Sequence, residues 1–279
     1  MPRLLVLADS LRYFGPDGAV PPRDSRLYPN LTAARLRDDT GSEWQVDLIA
    51  GLGWTMRDGW WALTKDPRAW GEALPRADAV VVGLGGMDAL PAAMPTYLRE
   101  GMAYLRPGTL RRAVRKAYAT TVPTVIRWTG GPLRQLPQGA TDRYATRIVD
   151  SVRYWRPGVP IVVLSPPPYD SRYYPSTGGH AKARTAAFAW AEQAQVSMVD
   201  ADEHVGPGLL DGSHNADGMH FGGPTHARVG AALGAALGQA LRSPLDGEPG
   251  GGYGEGFRGQ DPDGGDSGNS VPRAAGDRW

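Results

Sequence analysis

The chain has 279 residues, of which 41% are hydrophobic, and its formal net charge is +1. The nearly balanced charge gives no indication of a nucleic-acid partner, and the lack of cysteine excludes disulfides, thiolate chemistry and cysteine-ligated metals. No apolar run approaches the ~18 residues of a membrane helix, so we expect a soluble, cytoplasmic protein with no membrane partner.

The composition changes sharply near residue 242. The last 37 residues, Ser243 to Trp279, contain 11 glycines, seven acidic residues and three arginines, with almost no apolar side chains. Such a segment buries too little apolar surface to offset its chain entropy. We therefore predict a folded domain over residues 1–242 and a disordered, Gly-rich acidic tail over residues 243–279.

The first predicted strand, Leu4–Ala8, is a run of five apolar residues, a pattern typical of a strand buried on both faces of a parallel sheet. Ser10 follows it directly, at the end of the strand where open α/β sheets bind their ligands. Its hydroxyl could act as a nucleophile, and the backbone N–H groups beside it could face an oxyanion. The alternative is an Asp-Ser turn without chemistry, because both residue types favour turns.

A loop over residues 12–29 leads to a helix for which Asn30 is the predicted N-cap, and then to a second strand over Trp44–Ala50. Gly51 and Gly53 follow this strand and would let backbone amides approach a ligand closely.

Four of the nine tryptophans lie within the next 17 residues. We interpret three of them as a wall that shields an acyl chain or stacks on a sugar: Trp54, Trp60 and Trp61. Packing in the core is the alternative.

The third predicted strand, Ala77–Leu84, ends in the turn Gly85-Gly86-Met87-Asp88. Further strands are predicted over Pro160–Ser165 and Val196–Val199, and helical segments separate the strands. Strands that alternate with helices five times indicate an α/β fold, with a five-stranded parallel sheet between two helical layers in a three-layer α/β/α sandwich.

A basic cluster lies between the third and fourth strands. Arg106 precedes the predicted helix Thr109–Ala119, which carries four more cations: Arg111, Arg112, Arg115 and Lys116. Such a cluster is either a solvated helix face or a site for a phosphate-bearing or carboxylate-bearing substrate.

The region before the last predicted helix contains two Asp-x-x-His sequences, Asp211–His214 and Asp217–His220. In a serine acyl-transfer site a histidine takes the proton of the serine, and an acid orients the imidazole. An aspartate three residues before a histidine can reach its Nδ1 and leave Nε2 free. We favour the Asp217–His220 pair because it lies directly before the helix.

These blocks resemble the SGNH, or GDSL, hydrolase family. Ala8-Asp9-Ser10-Leu11 is similar to the Gly-Asp-Ser-Leu block, Gly86-Met87-Asp88 falls at the Gly-x-Asn-Asp block, and Asp217–His220 is similar to the Asp-x-x-His block. The resemblance covers about residues 3–241. It implies a flavodoxin-like fold with Ser10 as nucleophile, His220 as general base and Asp217 as its orienter.

The resemblance also implies an oxyanion hole built from the Ser10 amide, from Gly51 or Gly53, and from position 87. The family has an asparagine donor where this chain has Met87, which cannot donate. Loss of one such donor typically costs about 2.7–4 kcal/mol of transition-state stabilisation. Weak hydrolysis would suit a transferase. We also assign Asp9 and Asp88 to substrate binding.

A closer resemblance connects the chain with an actinobacterial branch of this family. It rests on the tryptophan-rich segment, on Gly86-Met87-Asp88 and on Asp66-Pro67-Arg68-Ala69-Trp70. The resemblance implies transfer of an octanoyl group to a hydroxyl of a glucosylglycerate in methylglucose lipopolysaccharide biosynthesis. The expected partners are a glycosylated small-molecule acceptor and an acyl donor, either acyl-CoA or another activated acyl group, with no cofactor.

Two other functions remain open at this point. The same triad would serve an ester hydrolase or carbohydrate deacylase, and Met87 is compatible with a non-catalytic carbohydrate-binding protein. Other classes fail, because Asp88 stands where a dinucleotide fingerprint needs its third glycine and the histidines lack zinc spacing. We expect the remaining histidines to lie at the surface or behind the site: His180, His204, His214 and His226.

Overall fold

In the computed structural model, which describes residues 1–10, 14–15 and 18–242, five parallel strands form the central sheet. These strands are β1 (Arg3–Ala8), β2 (Gln45–Ala50), β3 (Ala79–Gly83), β4 (Ile161–Leu164) and β5 (Ser197–Val199). Their order across the sheet is β2-β1-β3-β4-β5. This is the flavodoxin-like order, in which ligands bind where the strand order reverses, between β1 and β3.

Helices precede and follow the strands along the chain. They are α1 (Tyr28–Thr40), α2 (Met56–Lys65), α3 (Gly86–Ala89), α4 (Thr96–Gly101), α5 (Gly108–Thr129), α6 (Gln138–Trp155), α7 (His180–Ala194), α8 (Ala201–Leu210) and α9 (Gly223–Arg242). Shorter helical turns cover Ala69–Ala73, Leu74–Arg76 and Met102–Tyr104. Two antiparallel ladders of two residues a side pair Phe14–Gly15 with Gly18–Ala19 and Pro91–Ala92 with Leu133–Arg134.

The two faces of the sheet are covered by different helices, which confirms the predicted three layers. Leu5 and Leu7 of β1 belong to one core cluster, beneath α2, α6 and α7. Leu4 and Val6 belong to the other, beneath α1, α8 and α9. Because successive side chains of a strand point to opposite faces, the continuous apolar run of β1 serves both cores.

Helix α1 begins at Tyr28 with Leu27 as its N-cap, three residues before the predicted N-cap. Asn30 is therefore not the N-cap; its side-chain amide donates to the carbonyl oxygens of Pro22 and Asp24 at 2.9 and 2.8 Å. The predicted tail, residues 243–279, lies outside the described residues, as does part of the loop over residues 12–29. Among the helices that are described, none combines the length and apolar character needed to cross a membrane.

Helices α1 and α9 pack closely because α9 presents glycine to α1. A Cβ added to Gly230 would lie 2.6 Å from the Cβ of Leu31 and 3.2 Å from the carbonyl oxygen of Tyr28. The hydroxyl of Thr32 donates to the carbonyl oxygen of Tyr28 in its own helix at 2.8 Å, and the carbonyl oxygen of Gly230 on α9 lies 3.3 Å from the same hydroxyl. The last helix, which follows the Asp-x-x-His segment, is thereby fixed against the first.

We expect Gly230→Ala to lower the free energy of unfolding by about 1–3 kcal/mol, since the added methyl group must push two helices apart. Gly139→Ala on α6 is the matched control, because no atom lies within 4 Å of the added methyl group there. That control should be neutral or stabilising by up to ~1 kcal/mol. Urea unfolding of both variants measures the difference, and equal stabilities would contradict the packing described.

Candidate active site

Ser10 lies at the reversal point of the strand order. The last residue of β1, Ala8, is in register with Ala50 of β2 and with Gly83 of β3, so three strand ends meet at one edge. Asp9 and Ser10 continue from β1 into this edge, and Asp9 is only 2% exposed. The segments that follow β2 and β3 contain the glycines and Met87 singled out from the sequence. The parallel register therefore gathers these sequence motifs.

Asp217, His220 and Ser10 form one hydrogen-bonded line. The Nδ1 atom of His220 contacts the Oδ2 atom of Asp217, and its Nε2 atom lies 3.2 Å from the Oγ atom of Ser10. The other oxygen of Asp217 accepts hydrogen bonds from the backbone N–H groups of Met219 and His220, each at 3.0 Å. A single tight turn thus orients both members of the pair.

The electrostatics of this line fix the histidine tautomer. Partial burial disfavours ionisation of Asp217, but hydrogen bonds from the His220 ring and from the backbone outweigh it and lower the pKa of this carboxyl. An ionised carboxylate accepts but cannot donate, so Nδ1 of His220 carries the proton. Nε2 is left with its lone pair toward Ser10, as a general base requires.

The turn that carries the pair is braced by its neighbour in space. The backbone N–H of Asp170 donates to the carbonyl oxygen of Gly218 at 2.8 Å. Gly218 has φ +66°, and a Cβ there would lie 1.7 Å from the carbonyl oxygen of Asp170. Only glycine fits this position, which explains the glycine within Asp217-Gly218-Met219-His220.

The second Asp-x-x-His sequence has a different environment. The carboxylate of Asp211 accepts from the backbone N–H of Ser213 at 2.8 Å. The ring of His214 is set edge-on to that of Phe221, with centroids 6.1 Å apart, and burial lowers its pKa. The choice of Asp217–His220 over this pair agrees with the geometry. His226 was expected at the surface or behind the site; it is not at the surface, because it is fully buried and stacked on Tyr28.

A largely apolar cavity adjoins Ser10. The described residues that line it are Asp9, Ser10, Gly86, Met87, Leu90, Pro167, Pro168, Tyr169 and Met219. Apolar walls around a nucleophile exclude water and strengthen electrostatic interactions inside the site. Sequence reasoning missed the contribution of Leu90, of Met219 and of the residues after β4. The sequence signal for the residues after β4 is Pro166-Pro167-Pro168-Tyr169, a rigid turn at the carboxyl end of a strand.

Two of the predicted oxyanion-hole positions, Ser10 and Met87, line this cavity. Met87 lines it, and a Cβ on Gly53 would lie 3.9 Å from the Cε atom of Met87. Gly51 lies under the indole of Trp54, since a Cβ there would lie 2.2 Å from Nε1. A thioether has no N–H or O–H to donate, so an oxyanion at Ser10 would depend on backbone amides.

The three tryptophans interpreted from the sequence as a substrate wall do not line the cavity beside Ser10. Trp60 packs between α2 and α6, with its ring 5.6 Å from that of Tyr144. Trp61 lies against cations on the outer side of α2, including Lys65 at 4.6 Å, and Trp54 packs against the core. None of the three is among the described residues that line the cavity. Packing against the core, the alternative interpretation, describes Trp54 and Trp60, whereas Trp61 is exposed.

Asp88 is also corrected, because it is fully buried and cannot reach a substrate in this structure. Its carboxylate accepts from the backbone N–H of Met56, at 3.0 and 3.2 Å, and from the hydroxyl of Thr141 at 3.0 Å. It thereby ties the start of α2 to α6 and supports the turn that holds Met87. Burial raises the pKa of Asp88 to about 6, against the hydrogen bonds that favour its charged form.

The comparisons with known proteins agree with this arrangement. No family model matches the chain. It is 40% identical over 232 residues to the diglucosylglycerate octanoyltransferase of Mycobacterium tuberculosis, covering 82% of this chain and 89% of the relative. It is 42% identical over 232 residues to the enzyme of the same name from Mycolicibacterium hassiacum, covering 82% and 91%. The chain belongs to the diglucosylglycerate octanoyltransferase family. The actinobacterial branch predicted from the motifs is confirmed.

Solved structures with a similar fold are lipases and esterases. A lipase/acylhydrolase from Enterococcus faecalis superposes with a TM-score of 0.56 at 17% identity, covering 86% of this chain and 96% of that one. Est24, a carbohydrate acetylesterase from Sinorhizobium meliloti, gives 0.52 at 17% identity, covering 86% and 100%. These likenesses confirm the predicted SGNH-type fold.

The pKa of Asp88 gives a stability prediction with a definite sign. A carboxyl whose pKa rises from 3.8 to about 6 on folding keeps its proton longer in the folded state. Its contribution to stability is therefore present at low pH and is lost as pH rises from ~4 to ~6. The wild type should lose this contribution between pH 4 and pH 7, whereas Asp88→Asn has no carboxyl to titrate. The unfolding free energy of the variant minus that of the wild type should therefore rise by about 3 kcal/mol over that range. Denaturant unfolding across that range measures it, and parallel pH profiles would contradict the burial of a titrating carboxyl.

The Met87 position gives a prediction about catalysis. Met87→Asn introduces a donor beside Ser10 and should raise hydrolysis of p-nitrophenyl octanoate by about tenfold or more, since an oxyanion donor is worth ~10²–10³ when well placed. Met87→Leu keeps the apolar volume without a donor and serves as the matched control. Initial rates for the three proteins decide the matter: equal rates for the Asn and Leu variants would show that position 87 does not face the oxyanion.

Proposed function

We propose that this chain transfers an octanoyl group from an activated donor to a hydroxyl group of a diglucosylglycerate, with Ser10 as the nucleophile. The single observation that carries the catalytic part is the line from Asp217 through His220 to Ser10, with 3.2 Å between Nε2 and Oγ. Membership of the octanoyltransferase family supports the acyl group and the acceptor.

In the first half-reaction, Nε2 of His220 takes the proton from Ser10 as Oγ attacks the acyl carbonyl of the donor. The resulting imidazolium is stabilised by the carboxylate of Asp217. Backbone amides near Ser10 and Gly53 would hold the oxyanion. The intermediate then expels the donor's leaving group, which takes the proton from His220, and an octanoyl ester of Ser10 remains.

In the second half-reaction, His220 removes the proton from a sugar hydroxyl, whose oxygen attacks the octanoyl ester. Collapse of the second tetrahedral intermediate returns the proton to Ser10 and releases the octanoylated glucoside. Water is the competing nucleophile, so transfer requires a site that favours the acceptor over water. The apolar lining formed by Leu90, Pro167 and Met219 supports this role in place of the tryptophans.

In this proposal no cofactor takes part, and the acyl donor, acyl-CoA or another activated ester, enters as a substrate. An ester hydrolase would use the same three residues and differ only in releasing octanoate when acceptor is present. A non-catalytic carbohydrate-binding protein would have no need of Nε2 at hydrogen-bonding distance from Ser10.

The two Asp-x-x-His pairs provide a matched test of the catalytic roles. Asp217→Asn removes the charge that fixes the His220 tautomer and should lower kcat for octanoyl transfer by about 10⁴. Asp211→Asn changes an exposed carboxylate in the same local sequence and should alter kcat less than about twofold. The measurement is formation of octanoyl-diglucosylglycerate, with free octanoate followed in parallel. Similar losses in both variants would contradict the assignment, and octanoate as the main product in excess acceptor would favour the hydrolase.

A further inference from the structure

Residues 101–141 are the most basic stretch of the chain. They contain seven Lys or Arg residues and no Asp or Glu, although the whole chain has 30 basic and 29 acidic residues. Five of the seven cluster at the start of α5: Arg106, Arg111, Arg112, Arg115 and Lys116. None of these five forms an ion pair with a described residue. The cluster is therefore a patch of uncompensated positive charge.

Helix α5 presents this charge to solvent because little of it is buried. Only Val122 and Ile126 of its 22 residues are buried, whereas Arg112, Arg115 and Lys116 are exposed. Large apolar side chains beside the helix and along it are exposed as well, with Trp128 at 88% and Tyr104 at 83%. A surface with one sign of charge raises the local concentration of ligands of the opposite sign, so this cluster favours an anionic ligand.

The far end of α5 reaches the wall of the Ser10 cavity. A Cβ on Gly131 would lie 2.4 Å from the Cβ of Pro91, the residue that follows cavity-lining Leu90. The carbonyl oxygen of Gly130 accepts from the hydroxyl of Ser176 at 2.6 Å, and the carbonyl oxygen of Ser176 accepts from the hydroxyl of Tyr169 at 2.6 Å. Tyr169 also lines the cavity, so the helix and the cavity share a wall.

The helix thus places positive charge at a distance from the reacting serine. From Lys116 to Gly130 is 14 residues, or about 21 Å along a helix at 1.5 Å per residue. An acyl donor suited to this layout carries its anionic groups far from its acyl group. A coenzyme A thioester has that form, with phosphates on the nucleotide and the acyl group at the end of the pantetheine arm.

We infer that Arg106 and the basic face at the start of α5, formed by Arg112, Arg115 and Lys116, bind the phosphates of a coenzyme A thioester that donates the octanoyl group. This inference rests on the proposed function for the identity of the acyl group. The same basic face of a second copy is a poor occupant, because two acid-free segments would repel each other. Phosphates complement the charge, and guanidinium groups bind them with paired hydrogen bonds.

Binding of coenzyme A itself, measured by isothermal titration calorimetry, tests the surface without any chemistry. The double variant Arg112→Glu and Lys116→Glu should raise the Kd for coenzyme A at least tenfold. The matched control, Arg37→Glu and Arg242→Glu, makes the same charge change near the ends of α1 and α9 and should shift the Kd less than twofold. Pantetheine, which lacks the phosphates and the nucleotide, should bind weakly to all three proteins. Thermal unfolding checks that each variant is folded.

Kinetics supply an independent readout. In the wild type, kcat/KM for octanoyl-CoA should exceed that for octanoyl-pantetheine, and the preference should fall as salt screens the phosphates. In the double variant Arg112→Glu and Lys116→Glu, the ratio of kcat/KM for octanoyl-CoA to that for octanoyl-pantetheine should be at least tenfold smaller. If the wild type binds coenzyme A but transfers an octanoyl group from no donor, the proposed function is contradicted. The role of the α5 surface in binding coenzyme A would still be supported.

Three results would overturn the inference. The first is a wild type that does not bind coenzyme A, and the second is equal weakening in the α5 variant and the control. The third is an α5 variant that keeps coenzyme A binding but loses binding to vesicles of phosphatidylglycerol and phosphatidylcholine, which would make this face a membrane-binding surface.

Discussion

The structure depends on one constraint: β1 is paired in parallel on both edges and buried on both faces. An apolar run such as Leu4–Ala8 can meet this requirement only in the middle of a covered sheet. The register then brings the ends of β2 and β3 beside the end of β1. Ser10 is consequently fixed where the strand order reverses, and the segments after all three strands surround it.

Within that frame, the acid–base pair needs little further structure. One tight turn holds Asp217 against the backbone N–H groups of Met219 and His220, and the same carboxylate contacts the imidazole. Gly218 lets this turn lie against Asp170, and the close packing of α9 on α1 holds the helix that follows. The two carboxylates near the site have opposite environments: hydrogen bonds keep Asp217 charged, whereas burial raises the pKa of Asp88. One serves chemistry and the other holds α2 and α6 together.

The sequence predicted those features that local pattern determines. Apolar runs bounded by turns located the five strands, and the Asp217–His220 spacing requires only one turn of chain. It did not predict which tryptophans are buried or that Asp88 lies inside, because burial depends on which helices pack together, and α2 meets α6 across a long stretch of sequence. The apolar cavity was missed for the same reason, since its walls come from separate strand ends.

The most direct test of the account is whether Ser10 carries the octanoyl group between donor and acceptor. Intact-protein mass spectrometry after brief exposure to p-nitrophenyl octanoate should show one octanoyl adduct, and peptide mapping should place it on Ser10. Addition of diglucosylglycerate should discharge the adduct and yield the octanoylated glucoside. An adduct that forms equally in Ser10→Ala, or that does not pass to the acceptor, would contradict the account.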